Sequence, residues 1–307
     1  MTPVRSPVQQ PLWRADLALA GIALIWGATF VLVQQALRDA STLLFLALRF
    51  SLAVLALAVA FRGLPGKFRP LRPLLTGGVW AGVCLSAGYL FQTTGLRYTS
   101  ASKSAFLTGL SVVMVPVFGA LFRKVAPSLS EALGVLAATL GMGLMTLEGQ
   151  SLRMGRGDLL TLACAACFAA HILVVGYWAP RVRFEALSLV QVATAAVLAL
   201  GTCWWAETPL IRWRPGVVAA LLVTGLLATA LAFSVQAWAQ RYTTATRTAL
   251  IFALEPVFAW LTSFLLTGET LSVRASLGAV LILAGILLVE LKPFGPGGRP
   301  EVRELVE

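Results

Sequence analysis

The sequence predicts an all-α integral membrane protein of ten transmembrane helices, arranged as two inverted five-helix repeats around a central cavity. Three observations predict it. Of 307 residues, 58% are hydrophobic and only 12% charged, with a mean hydropathy of +0.85, whereas soluble domains carry about a quarter charged residues. The apolar residues come in continuous runs near the roughly 20 residues that a spanning helix needs, and they lack the alternation of a barrel strand. Finally, one phrase is written twice, as "YTSASKSAFL" at 98–107 and "YTTATRTALI" at 242–251.

The runs follow in chain order. Leu17–Leu37 comes after Arg5 and Arg14 and exceeds a signal-peptide core, so it reads as an uncleaved first span. Leu43–Phe61 ends at the loop "RGLPGKFRPLRP", and Leu74–Leu96 and Ala105–Phe122 flank the first phrase. Leu133–Leu147 is short and rich in small residues, and "EGQSLRMGRGD" follows it. Leu159–Trp178, Leu187–Trp205 and Val217–Ala239 are separated by "APRVRFEA" and "ETPLIRWRPG". Tyr177, Trp178, Trp204, Trp205 and Trp213 gather at their ends, where amphipathic rings favour the membrane interface. Ala249–Leu266 carries the second phrase, and Leu277–Leu291 closes the series.

The repeat fixes the plan. Gln92, Arg97, Tyr98, Thr99, Ala101 and Ala105 recur 144 positions on as Gln236, Arg241, Tyr242, Thr243, Ala245 and Ala249. Gly134 and Gly141 recur as Gly278 and Gly285, while Pro116–Val117–Phe118 recurs as Pro256–Val257–Phe258 at an offset of 140. Asp16–Leu17 matches Asp158–Leu159, and Trp26–Gly27 matches Phe168–Ala169 more faintly. Five spans per half is an odd number, so the second half must cross the membrane in the opposite sense. The expected organisation is a cytoplasmic segment 1–15, a first repeat 16–147, a linker 148–157, a second repeat 158–291 and a Gly/Pro-rich, disordered cytoplasmic tail 292–307. Lysine and arginine favour the loops on the side of both termini, which places those termini in the cytoplasm.

Composition also excludes functions. The net charge of +11 sits in short loops facing lipid headgroups, so no nucleic acid is expected. Cys84, Cys164, Cys167 and Cys203 all fall within apolar runs and imply neither a disulfide framework nor redox chemistry. There is no phosphate-binding G-x-x-x-x-G-K-[ST] loop and no H-E-x-x-H, so no cofactor, metal site or catalytic residue is expected.

With these runs, "IWGATF" (25–30), "FQTTGLRYTSASKSAFLTGLSVVMVPVF" (91–118) and "LEPVFAWLTSFLLTGETLSVRASLGAVLILAGILL" (254–288) resemble the EamA-type branch of the drug/metabolite transporter superfamily. The resemblance covers roughly residues 16–291. It implies a basket of ten helices with substrate in a cavity lined by the first four spans of each half. It also implies peripheral fifth and tenth spans, often a dimer contact, and export or import of amino acids, metabolites or drugs. The expected function is secondary-active efflux of a small molecule across the cytoplasmic (inner) membrane. The alternative is a membrane enzyme or flippase acting on lipid-linked groups, which would want clustered acidic, His or Ser residues at one interface.

Ionisable groups inside spans are costly and become candidates for function. Arg49 in span two should face the cavity or pair with a carboxylate, and Gln191 holds the equivalent place in span seven. Glu255, before Pro256 in mid span nine, is the candidate for proton coupling or for holding a cation. Lys103 and Arg247 are gate candidates on opposite sides of the membrane, with snorkelling to the interface as the plainer reading. Trp26, Tyr89, Gln92, Phe168, His171, Phe233 and Gln236 are candidates for the cavity wall. Gly134, Gly141, Gly278 and Gly285, seven apart in each span, are candidates for close helix packing or a homodimer contact.

Overall fold

A computed structural model describes residues 12–64, 68–123, 127–147, 154–267 and 272–291. Residues 1–11, most of the expected linker and the tail from 292 onward lie outside the described residues. The described chain is helical, with one isolated β-bridge between Ala40 and Ile211. In chain order the helices are α1 (Leu12–Gly27), α2 (Thr29–Ala36), α3 (Thr42–Ala60), α4 (Leu71–Gly95), α5 (Ala101–Gly109), α6 (Ser111–Arg123) and α7 (Leu129–Thr146). They continue as α8 (Arg156–Trp178), α9 (Phe184–Thr202), α10 (Pro215–Leu222), a π-helical segment (Val223–Leu231), α11 (Ala232–Ala239), α12 (Ala245–Phe252), α13 (Glu255–Thr267) and α14 (Val273–Leu291).

Among the described residues, eight helical runs are long and apolar enough to cross a membrane, from Leu12–Ala36 to Pro215–Ala239. The second phrase begins a run that is broken instead. Pro256 has no N–H to offer the Phe252 carbonyl, and α12 ends at Phe252. Glu255 therefore opens a new helix after a two-residue turn, rather than standing in the middle of one long span. A carboxylate in a first helical turn suits the positive end of the helix dipole.

Small residues let helices far apart in the sequence approach closely. A Cβ on Gly141 would lie 2.5 Å from the Gly278 carbonyl oxygen, and one on Gly285 would lie 2.5 Å from the Gly134 carbonyl oxygen. All four sequence-flagged glycines are thus consumed between α7 and α14 of the same chain. Along α4, Gly82 and Gly88 meet Thr194 of α9 and Phe168 of α8 in the same way. The fold interleaves, with α3 and α4 packed on α8 and α9, and α1 packed on α11, α12 and α13.

One loop, after α9, straps onto the segment that leads into α3. The Ser41 N–H donates to the Leu210 carbonyl at 2.8 Å, and the Arg212 N–H to the Asp39 carbonyl at 2.8 Å. Glu207 Oε1 accepts from the N–H groups of Leu43 and Leu44, at 2.5 and 2.9 Å. Those are unpaired donors of the first turn of α3, so a side chain from the loop after α9 caps a helix 163 residues away.

Candidate functional site

A cavity lies among α1–α6, α8, α11, α12 and α13. Its lining includes Trp26, Arg49, Tyr89, Gln92, Phe168, His171, Phe233, Gln236 and Glu255. These are the nine residues flagged as cavity candidates from sequence, brought together from positions as far apart as 26 and 255. Thr29, Phe30, Thr108 and Phe252 also line it and were not flagged. The signal for Phe252 was available, because it stands four residues before the proline.

Aromatic rings build the wall. Phe233 packs against Trp26 at 5.6 Å between centroids, against His171 at 5.4 Å and against Tyr89 at 6.1 Å. Trp26 also meets Phe252 edge-on at 4.9 Å, and Tyr89 meets Phe168 at 5.2 Å. Edge-to-face rings at these spacings hold one another in place, so the wall is largely pre-formed.

The buried cation Arg49 is held by three groups. Its Nε donates to Thr229 Oγ1 at 2.8 Å, and its Nη2 donates to Tyr89 Oη at 2.9 Å and to the Ala228 carbonyl at 3.4 Å. The guanidinium carbon sits 4.2 Å from the Tyr89 ring centroid. No carboxylate among the described residues forms an ion pair with Arg49, so of the two sequence readings it is the cavity-facing one that its position matches. The polar anchors come from the π-helical segment, which sequence reasoning did not find because hydropathy is blind to helix winding. There Thr229 Oγ1 donates to the Thr224 carbonyl five residues back, at 2.7 Å. The wider turn leaves the Ala228 carbonyl turned outward, where Trp26 Nε1 donates to it at 2.9 Å. π-turns inside α-helices recur at functional sites.

Three further polar contacts stand around the cavity. His171 Nε2 lies 2.8 Å from Gln191 Oε1, and Gln92 Nε2 donates to Thr108 Oγ1 at 3.2 Å. Gln236 Nε2 donates to Gln240 Oε1 at 3.0 Å, while Gln236 Oε1 is buried with no partner. Among the described residues, no three His, Cys, Asp or Glu side chains cluster as metal ligands do.

Lys103 and Arg247 stand apart from this lining. Lys103 Nζ lies 2.6 Å from Asp158 Oδ2, and Arg247 Nη2 lies 2.5 Å from Asp16 Oδ2. Both cations are ion-paired with acids of the other half of the sequence. Asp16 and Asp158 were matched as repeat positions, but nothing in the sequence tied them to these cations.

Comparison with known proteins agrees with this architecture. The EamA-like transporter family matches two stretches, 13–147 and 155–291. A relative from Archaeoglobus fulgidus, named an uncharacterized transporter, is 34% identical over 278 residues, covering 91% of this chain and 86% of its own. The uncharacterized transporter YoaV of Bacillus subtilis is 21% identical over 279 residues, covering 89% and 95%. A solved crystal structure superposes with a TM-score of 0.76 at 18% identity, covering 93% of this chain and 99% of its own, which speaks to the fold alone. The chain is an integral membrane protein with an interior cavity, and it belongs to the EamA-like transporter family.

Proposed function

We propose that the protein is a secondary-active exporter that carries a small zwitterion with an apolar or aromatic side group, of the amino-acid type, by alternating access. The observation that carries this reading is the charge pattern of the cavity. Arg49 and Glu255 line the same aromatic-walled space and do not neutralise each other. A solute bearing both a carboxylate and an ammonium group would satisfy both, with its apolar part against Trp26, Phe168 and Phe233. Unpaired ionisable groups within a membrane protein's interior are costly unless a pathway or substrate uses them.

Ten spans fit the family match and the helix order, with the 245–267 region crossing as the broken pair α12–α13. Halves 16–147 and 158–291, joined by 148–157, would then run in opposite directions, with both termini in the cytoplasm and the protein in the inner membrane. Glu255 is the proposed proton-coupling group.

The test is flux of labelled amino acids in proteoliposomes, with and without an imposed proton gradient. Gradient-dependent movement of an apolar or aromatic amino acid is expected, and Glu255→Gln should abolish its dependence on the gradient. No flux across a broad amino-acid panel would defeat the cargo assignment. Unchanged gradient dependence in Glu255→Gln would defeat the proton role.

A further inference from the structure

The two ion pairs away from the cavity share one design. Each cation opens a helix behind a hydroxyl cap, Ser100 accepting from the Lys103 N–H and Thr244 from the Arg247 N–H, both at 3.2 Å. Each cation reaches an acid near the start of a helix in the other matched stretch, Asp158 in α8 for Lys103 and Asp16 in α1 for Arg247. The pairs sit at opposite ends of the α1–α2 run. Asp16 holds Arg247, while Gln34, at the far end of that run, donates to the Thr99 carbonyl beside Lys103 at 3.2 Å. From residue 16 to residue 34, at 1.5 Å per residue, that separates the two pairs by about 27 Å along the run.

The two copies are not equally made. Asp158 accepts from Lys103 Nζ at 2.6 Å, from Thr99 Oγ1 at 2.6 Å and from the Gly155 N–H at 2.8 Å. Among the described residues, Asp16 accepts from Arg247 only, at 2.9 and 2.5 Å. Its side chain is 23% exposed, against 5% for Asp158. Thr243 is the repeat counterpart of Thr99, and its buried hydroxyl has no partner among the described residues. A buried orphan hydroxyl is uncommon in native structures and asks for a reason.

We infer that Thr99–Asp158–Lys103 and Thr243–Asp16–Arg247 are reciprocal latches, one complete and one incomplete in this conformation. In the alternate conformation the Thr243 hydroxyl donates to Asp16, and Thr99 releases Asp158. The orphan hydroxyl is then the partner that the other state uses. The cations stay paired throughout, so the threonines, and not the lysine and arginine, carry the difference between states. This deepens the alternating-access reading above and rests on it.

The test places a cysteine at Thr29, on the cavity wall, in a background without Cys84, Cys164, Cys167 and Cys203. Its labelling by a membrane-impermeant maleimide is followed from each face of oriented vesicles. Thr99→Val and Thr243→Val are expected to shift the ratio of the two labelling rates in opposite directions. Each shift should be on the order of tenfold, the size set by one hydrogen bond to a charged group. Thr99→Ser should restore the parent ratio, and Thr243→Val should not lower the melting temperature, since it removes an unmet donor. Should Thr99→Val not fold, Thr99→Ala removes the same hydroxyl while leaving the Lys103–Asp158 pair in place, and takes its place in the comparison. Shifts of the same sign, or no shift in either variant, would overturn the latches. The readout needs no cargo. Reciprocal labelling without flux would keep the latches and sink the cargo assignment, whereas flux with latch-insensitive labelling would do the reverse.

Discussion

At the scale of single residues, the cavity depends on how Arg49 is held. Three of its contacts, to Tyr89, Thr229 and the Ala228 carbonyl, come from two neighbouring segments. Losing one acceptor strands a charged donor in a low-dielectric site, which costs about 1–3 kcal/mol. Tyr89→Phe should therefore lower stability by that amount in thermal unfolding of detergent-solubilised protein, although the ring stays packed. Arg49→Lys should do worse, because one ammonium cannot reproduce the planar fork that meets Tyr89 and Thr229 together. His171 offers a parallel case. Gln191→Leu leaves its Nε2 without the 2.8 Å contact and should cost about 1–3 kcal/mol in the same measurement. The sequence displayed Arg49, Glu255 and His171 as rare polar letters in apolar runs. It did not display their partners, because Thr229 lies 180 residues from Arg49 and threonine in a span carries no distinctive signal.

At the scale of elements, small residues and helix irregularities do the positioning. Gly141→Val would drive side-chain carbons into the Gly278 carbonyl, 2.5 Å from the Cβ position. Overpacking of this kind costs about 1–3 kcal/mol, and the loss should appear as a lower melting temperature. Gly21→Ala is the control. Nothing lies within 4 Å of its Cβ position, so the helix should gain stability by up to roughly 1 kcal/mol. The π-helical segment is a sharper test. Deleting Leu227 would restore ordinary α winding and turn the Ala228 carbonyl away from Trp26 and Arg49. Transport should fall at least tenfold while the protein still inserts and folds, as judged by flux and by size-exclusion profile. Apolar runs, their order and their loops were legible from composition, and the glycine spacing of α7 and α14 pointed to close packing. The break before Glu255 was half legible, since the proline was visible but was read as a kink in one helix.

At the scale of the whole molecule, the interleaving of distant segments was the least legible part. A repeated phrase shows that two stretches are alike, but not which surfaces they turn toward each other. The α7–α14 contact, the α4 packing on α8 and α9, and the Glu207 cap on α3 all join residues more than sixty positions apart. Such pairings follow from the shape of the assembled bundle, and no local pattern encodes them. The Glu207 cap makes this testable. Glu207→Ala removes the acceptor for two N–H groups, which should cost about 0.5–2 kcal/mol in thermal unfolding. It should also raise hydrogen exchange at Leu43 and Leu44 specifically.

The exchanged ion pairs have a consequence for how such a chain could have begun. Residues 16–147 contain one acid and one cation of this kind, Asp16 and Lys103, and they do not bind each other. Each is satisfied only by the other stretch, through Arg247 and Asp158. A polypeptide of the first stretch alone would carry both of these charges and leave each without its partner. Two copies facing opposite ways would complete each other, acid to cation at both ends, with no change of sequence. In the present chain one polypeptide carries both acids and both cations, so each pair closes within a single molecule.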